Sequence, residues 1–214
     1  MKIEILRFNP FVENTYVIID KSKKCVIIDP GCHTDRERDF FLNYIKTNEL
    51  LPQMIINTHC HIDHIAGVDF VKESFNIPFL AHKEEEYLLG DAGEYARQWD
   101  YFDIKKNIVI DEYLDENKEY TFGDSVLKII HTPGHTPGQC AVYSDIEKFM
   151  IVGDTIFKGS IGRTDLPGGD YDALENSIKN KILKFDPDFT IFPGHGDSTK
   201  VSIEMTENPF INFD

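Results

Sequence analysis

The sequence predicts an α/β domain, and three observations carry that reading. Short apolar runs of strand length recur at residues 2–8, 14–20, 24–29, 53–57, 78–82, 125–130, 139–143, 148–152 and 189–192. Between them, residues 35–48, a stretch from about Asp63 to Phe75, and residues 172–185 space their apolar side chains at helical intervals. Histidines and aspartates gather directly after the strand-like runs, where loops carry chemistry on a rigid scaffold. At 214 residues, 1–214 reads as one domain large enough to bury a substantial core.

Taken in order, the first three runs read as strands joined by short turns, the third closing on Asp29, Pro30 and Gly31. A helix over Asp35–Asn48 places Phe41, Leu42 and Ile45 on its buried side. The run Gln53–Asn57 is a buried strand, and Ile65, Val68, Val71 and Phe75 mark one helix starting near Asp63. Residues 83–107 are acidic and aromatic, with Glu84, Glu85, Glu86, Tyr87 and Trp99. They read as a peripheral helical pair with a solvated charged face, in preference to a lid over a pocket. Past residue 108 strands return, then a helix over Asp172–Phe185, a last strand, and a short helix over Thr199–Glu207.

The ten residues Thr58–Gly67 hold His59, His61, Asp63 and His64 on a turn between strand and helix. In a nearly extended chain His59 and His61 point to one side and can share an ion, while the turn throws Asp63 and His64 towards a second. A helix cap explains one aspartate there, not three histidines. Further on, His135, Asp154 and His195 each follow an apolar strand and sit beside glycine or in a Pro/Gly turn. Seven ligand-type side chains placed this way point to a two-metal site. Imidazole and carboxylate suit zinc, manganese or iron better than calcium or magnesium. His33, His82 and His131 lack one or another of these features and read as structural or surface residues. Cys60 lies between two candidate ligands but alternates away from them, and Cys25 and Cys140 read as buried thiols.

The net charge, 22 − 37 = −15, disfavours nucleic acid and anionic membrane as partners. No apolar run has the length of a membrane span, and the alternating N-terminus lacks a signal-peptide core, so a cytoplasmic protein is expected. No Gly-x-Ser-x-Gly elbow or phosphate-binding glycine loop supports serine-hydrolase or nucleotide chemistry.

Thr58–His64 resembles the HxHxDH signature of the metallo-β-lactamase superfamily, with His135, Asp154 and His195 similar to its remaining ligands. Within it, the chain is similar to short bacterial glyoxalase II-like (hydroxyacylglutathione hydrolase-like) proteins. Ile27–Gly31, the Pro/Gly loop around His135, Gly153–Phe157, Ser160–Asp170 and Pro193–Gly196 carry that likeness. The resemblance implies an αββα sandwich, two mixed sheets face to face with helices outside and metals at one edge. It implies His59, His61 and His135 on a first ion, Asp63, His64 and His195 on a second, and Asp154 bridging them. Zinc is the foremost expectation, with iron or manganese as alternatives.

The implied reaction is hydrolysis of a small-molecule thioester such as S-2-hydroxyacylglutathione by a metal-bridging hydroxide. Asp63 would orient the nucleophile and Asp154 fix the spacing of the ions. Arg163 is expected either to anchor a substrate carboxylate or to pair with Asp165 or Asp170. Aspartate at position 154 counts against antibiotic hydrolysis, and His61 against the flavodiiron branch. With 19 residues after His195, the glutathione-binding extension of glyoxalase II proper is not carried over. The alternative is a mononuclear iron persulfide dioxygenase acting on glutathione persulfide, with iron on His59, His135 and Asp154.

Overall fold

The computed structural model describes residues 1–90, 104 and 108–211. The first sheet opens with β1 (Lys2–Phe8), β2 (Glu13–Ile19) and β3 (Lys24–Ile28), a meander of antiparallel pairs. Helix α1 (Asp35–Thr47) crosses back, so that β4 (Leu51–Ile56) lies parallel to β3. The ligand-rich turn leads into α2 (Ile62–Ile65) and α3 (Val68–Phe75), after which β5 (Phe79–Ala81) and β6 (Glu112–Tyr113) extend the parallel half. In the second sheet β7 (Tyr120–Phe122), β8 (Ser125–His131), β9 (Cys140–Ser144) and β10 (Phe149–Gly153) form another antiparallel meander. A small hairpin, β11 (Ile156–Phe157) and β12 (Ser160–Ile161), precedes α4 (Tyr171–Asn180). That helix carries the chain to β13 (Thr190–Pro193), parallel to β10, before β14 (Thr199–Lys200) and α5 (Val201–Glu207).

Alternation along the strands builds the layers. Tyr16, Ile18, Val26 and Ile28 of the first sheet meet Leu127, Ile129, Val142 and Ile151 of the second in one buried cluster. Their neighbours Val17, Cys25 and Ile27 face the other way, onto Phe41 and Ile45 of α1 and Val68 and Val71 of α3. Ala141, Met150 and Val152 likewise turn outward onto Leu174 and Ile178 of α4. A side-chain period of 2 thus gives each sheet two buried faces, and the αββα sandwich follows.

The strands β8, β10 and β13 run in one direction, so their C-terminal ends share an edge of the second sheet. The sheets are tied there by Cys140 N–H donating to Thr58 O (2.8 Å) and Asn14 N–H to Gly194 O (2.8 Å). The turn after β4 and the loops after β8, β10 and β13 therefore meet at one rim.

Four expectations are corrected. The helix from Asp63 to Phe75 is two helices, because the backbone groups that would join them are taken elsewhere. Gly67 N–H donates to Pro30 O (2.8 Å) and Asp63 O accepts from Asn9 Nδ2 (3.0 Å). The helix expected over Asp172–Phe185 stops at Asn180: Lys181 leaves helical geometry (φ −120°), and its ammonium reaches His131 O at 2.6 Å. Ile182 and Leu183 then bury themselves in a short 3₁₀ turn. Thr199 and Lys200, read as helix, pair as a strand with Ile191 and Thr190. The peripheral helical pair expected over 83–107 falls largely on residues 91–103 and 105–107, outside the described residues. Within 83–90 the solvated-face reading fails for Glu85, which is 0% exposed. Among the described residues no helix is long and apolar enough to cross a membrane.

Candidate metal centre

The four loops bring the seven expected side chains together at the rim. His59, His61 and His135 form one group and Asp63, His64 and His195 another, with the ligand atoms of each group within 4.8 Å of one another. In the first group His61 Nδ1 lies 2.8 Å from His135 Nε2. In the second, His195 Nε2 lies 3.1 Å from Asp63 Oδ2 and 3.3 Å from His64 Nε2. Asp154 stands between them, with Oδ1 3.7 Å from His64 Nε2 and Oδ2 3.6 Å from both His135 Nε2 and His195 Nε2.

Four of the five imidazoles are anchored by the nitrogen that points away. His59 Nδ1 meets Thr58 Oγ1 (3.1 Å), His64 Nδ1 meets Asp29 Oδ2 (3.1 Å), His135 Nδ1 meets Arg163 O (2.8 Å) and His195 Nδ1 meets Phe11 O (3.0 Å). Such outer partners fix ring orientation and leave the inner nitrogen for a cation. Among the described residues His59 Nε2 and Asp154 Oδ1 are buried with no hydrogen-bond partner, although buried polar atoms are normally satisfied. A divalent ion in each group would satisfy both orphans, and the imidazole–carboxylate donor set suits zinc, iron or manganese.

The electrostatics agree. Burial, helped by the neighbouring imidazoles, holds His59 well below its usual value; burial and His135 hold His61 down to about 3. Burial also pulls on His64 and His195, but the carboxylates around them, Asp63 foremost, outweigh it and raise both. Asp63, which burial alone would raise, is held below the carboxylate range by His64 and His195. The second group thus gathers positive charge around its acids.

Sequence reasoning missed the residues that hold the loops. Asp29, in the left-handed region (φ 50°), accepts from Thr58 N–H (2.7 Å) and Thr58 Oγ1 (2.6 Å) as well as meeting His64. Asn57 Nδ2 spans the ligand turn, donating to His59 O (3.2 Å) and His64 O (2.8 Å). Asn14 Nδ2 donates to Pro193 O (3.0 Å) and Gly196 O (2.9 Å), fixing the His195 loop. Glu85 accepts from Cys60 N–H (2.7 Å), Thr136 Oγ1 (2.7 Å) and Gly138 N–H (2.9 Å), which is why it is buried. The Asp29-Pro30-Gly31 turn was a signal for the first of these. The other three sit in ordinary local sequence.

The remaining candidates fall outside the groups. Arg163 lines the cleft, yet its guanidinium forks onto Asp165, with Nε–Oδ1 2.7 Å and Nη2–Oδ2 2.8 Å. Cys60 is buried and free, as are Cys25, Cys32 and Cys140. His33 pairs with Glu37 at 2.6 Å. His82 and His131 stack at 4.3 Å with planes 12° apart, and their ligand atoms and that of Glu84 lie within 4.8 Å of one another, but His82 Nδ1 accepts from Glu84 N–H (3.3 Å) and His131 Nε2 meets Pro137 O (2.7 Å).

Glu13 lies behind the second group, 0% exposed, with Thr15 Oγ1 donating to Oε2 (2.9 Å) and, among the described residues, no partner at Oε1. Burial pushes its carboxyl well above 4.5, so folding favours the protonated form. Above the unfolded-state value the unfolded chain releases this proton and the folded chain keeps it, so this carboxyl's contribution to stability falls as pH rises. Glu13→Gln removes that slope. Urea unfolding of the metal-free proteins at about pH 5, 6 and 7 should show the variant gaining on the wild type as pH rises. A gap independent of pH would contradict this.

A family model described as the metallo-beta-lactamase superfamily matches residues 8–195. The hydroxyacylglutathione hydrolase GloC of Haemophilus influenzae is 33% identical over 214 residues, 99% of this chain and 99% of that protein. The crystal structure of BLEG-1, described as a B3 metallo-beta-lactamase, superposes with a TM-score of 0.90 at 36% identity, covering 99% of this chain and 100% of that one. The di-iron-bound form of TTHA1623 gives a TM-score of 0.86 at 34% identity, covering 97% of this chain and 100% of that one. A matched family model over most of the chain, full-length relatives and the αββα sandwich agree: the chain belongs to the metallo-β-lactamase superfamily.

Proposed function

We propose that this chain is a metal-dependent hydrolase of small-molecule thioesters, with S-2-hydroxyacylglutathione compounds as the foremost candidates. The observation that carries the reading is the pair of ligand groups joined by Asp154 and opening onto one cleft. The cleft, about 350 Å³, is lined by Phe11, Ile62 and Leu166 together with Arg163 and side chains of the two groups. In this reading His59, His61 and His135 hold one ion, Asp63, His64 and His195 a second, and Asp154 touches both. Zinc is the first choice and iron or manganese the alternatives, as the di-iron form of TTHA1623 also suggests. Two such ions supply Lewis-acid polarisation of an acyl carbonyl and a water acidic enough to attack at neutral pH.

The chain's own residues then orient and select. Asp63, at the cleft wall, accepts a hydrogen bond from the attacking water and aligns it with the carbonyl. Phe11, Ile62 and Leu166 take the apolar part of the acyl group and exclude bulk water. Arg163 would anchor a substrate carboxylate by exchanging it for Asp165. The leaving group decides between acyl substrates. A thiol has a pKa near ~8.5, so a thiolate departs without a proton donor, whereas an amine needs one. Among the described residues the acids lining the cleft are Asp63, of the second group, and Asp154, which stands between the groups, and this favours thioesters over lactams despite the likeness to BLEG-1.

The test is a substrate panel on protein of known metal content. S-Lactoylglutathione should be turned over with about two ions per chain, and a lactam such as nitrocefin far more slowly. Lactam turnover matching that of the thioester would overturn the assignment. One iron per chain with oxygen uptake on glutathione persulfide would replace it by the dioxygenase reading.

A further inference from the structure

Glu85 connects the two loops that carry the first ligand group. The histidines His59 and His61 flank Cys60, whose N–H donates to Glu85 Oε2 (2.7 Å). The loop of His135 supplies Thr136 Oγ1 (2.7 Å) and Gly138 N–H (2.9 Å), both to Glu85 Oε1. A Cβ at Gly138 would come within 2.8 Å of Oε1 and 2.9 Å of Glu85 Cγ, so glycine there is what lets the carboxylate approach. The side chain is 0% exposed, and a buried carboxylate is tolerated only when its oxygens are satisfied.

None of these three bonds reaches a residue of the second group. Its histidines are held by Asp29 and by Phe11 O, and its loops by Asn57 and Asn14. We propose that Glu85 is a positioning residue of the first metal site alone, setting the distance between His59 and His61 on one loop and His135 on the other. The proposal rests on the reading of those three histidines as ligands of one ion. It does not depend on which bond the enzyme cleaves.

Glutamine in place of Glu85 has the right shape and the wrong chemistry. In one orientation its amide N–H₂ faces Cys60 N–H; in the other it faces Gly138 N–H, so a donor meets a donor either way. Outer partners of metal ligands typically cost 10–100-fold in metal affinity when lost.

The experiment is calorimetric titration of metal-free wild type, Glu85→Gln and Thr136→Val with zinc alone at about pH 8, with thermal unfolding of each. The wild type should show two binding steps. In Glu85→Gln one step should weaken by roughly 10–100-fold while the other is unchanged. Thr136→Val, which leaves both backbone donors, should weaken the same step by less. Equal weakening of both steps, or none, in a folded variant would overturn the proposal, and Thr136→Val alone decides the matter if Glu85→Gln does not fold. A wild type that takes up only one zinc would overturn the two-ion reading; this proposal is then overturned if Glu85→Gln leaves that single step unchanged.

Discussion

Replacing Asp154 by alanine is expected to remove metal and thioesterase activity together. Its carboxylate reaches into both groups, 3.7 Å from His64 Nε2 and 3.6 Å from His135 Nε2 and His195 Nε2. Without it, two imidazoles that face each other across the gap lose the negative charge between them, and a dication placed there loses an oxygen ligand. Turnover of S-lactoylglutathione should fall by at least about 100-fold, with fewer than two ions retained per chain. Asp154→Asn keeps the shape and one oxygen but not the charge, so it should retain more metal than the alanine variant. Two ions and undiminished turnover in Asp154→Ala would end the proposed mechanism.

The second large effect should come from a residue with no side chain. A Cβ on Gly194 would overlap Asp154 Oδ1 and come within 2.7 Å of His64 Cε1. The backbone cannot retreat, because Gly194 N–H donates to Gly153 O and Gly194 O accepts from Asn14 N–H, both at 2.8 Å. Gly194→Ala must therefore displace Asp154 or His64, at a stability cost of about 1–3 kcal/mol for overpacking and with the loss of at least one ion. Gly90→Ala is the control, since among the described residues a Cβ there meets nothing within 4 Å. Full metal content in Gly194→Ala, measured by elemental analysis after gel filtration, would show that the Asp154 carboxylate has more room than these contacts allow.

Much of this was legible without a structure. Alternation within the strands gave the buried faces, so Val17 and Ile18 could be expected on opposite sides of the first sheet, and they are. The seven ligand-type residues stood out because they are chemically rare, dense over Thr58–Gly67, and lodged where strand-like runs meet glycine. Those are local properties. The broken helix at Gly67 was not legible, because what stops it is Pro30 O and Asn9 Nδ2, distant in sequence.

The sequence by itself determined the class of fold, the identity of the ligand-type side chains and the loops that carry them. Only the tertiary structure decided how those loops are held. Asp29 acts on a residue 29 positions away, Glu85 on one 53 away and Asn14 on one 182 away. Glu85 sits in an acidic run that reads as a solvated face, and only the approach of the loops behind it makes its burial affordable. Periodicity and spacing report what neighbours along the chain can do. A buried hydrogen bond depends on which distant donors the packed sheets bring within 3 Å, and that is settled when the two sheets close on each other.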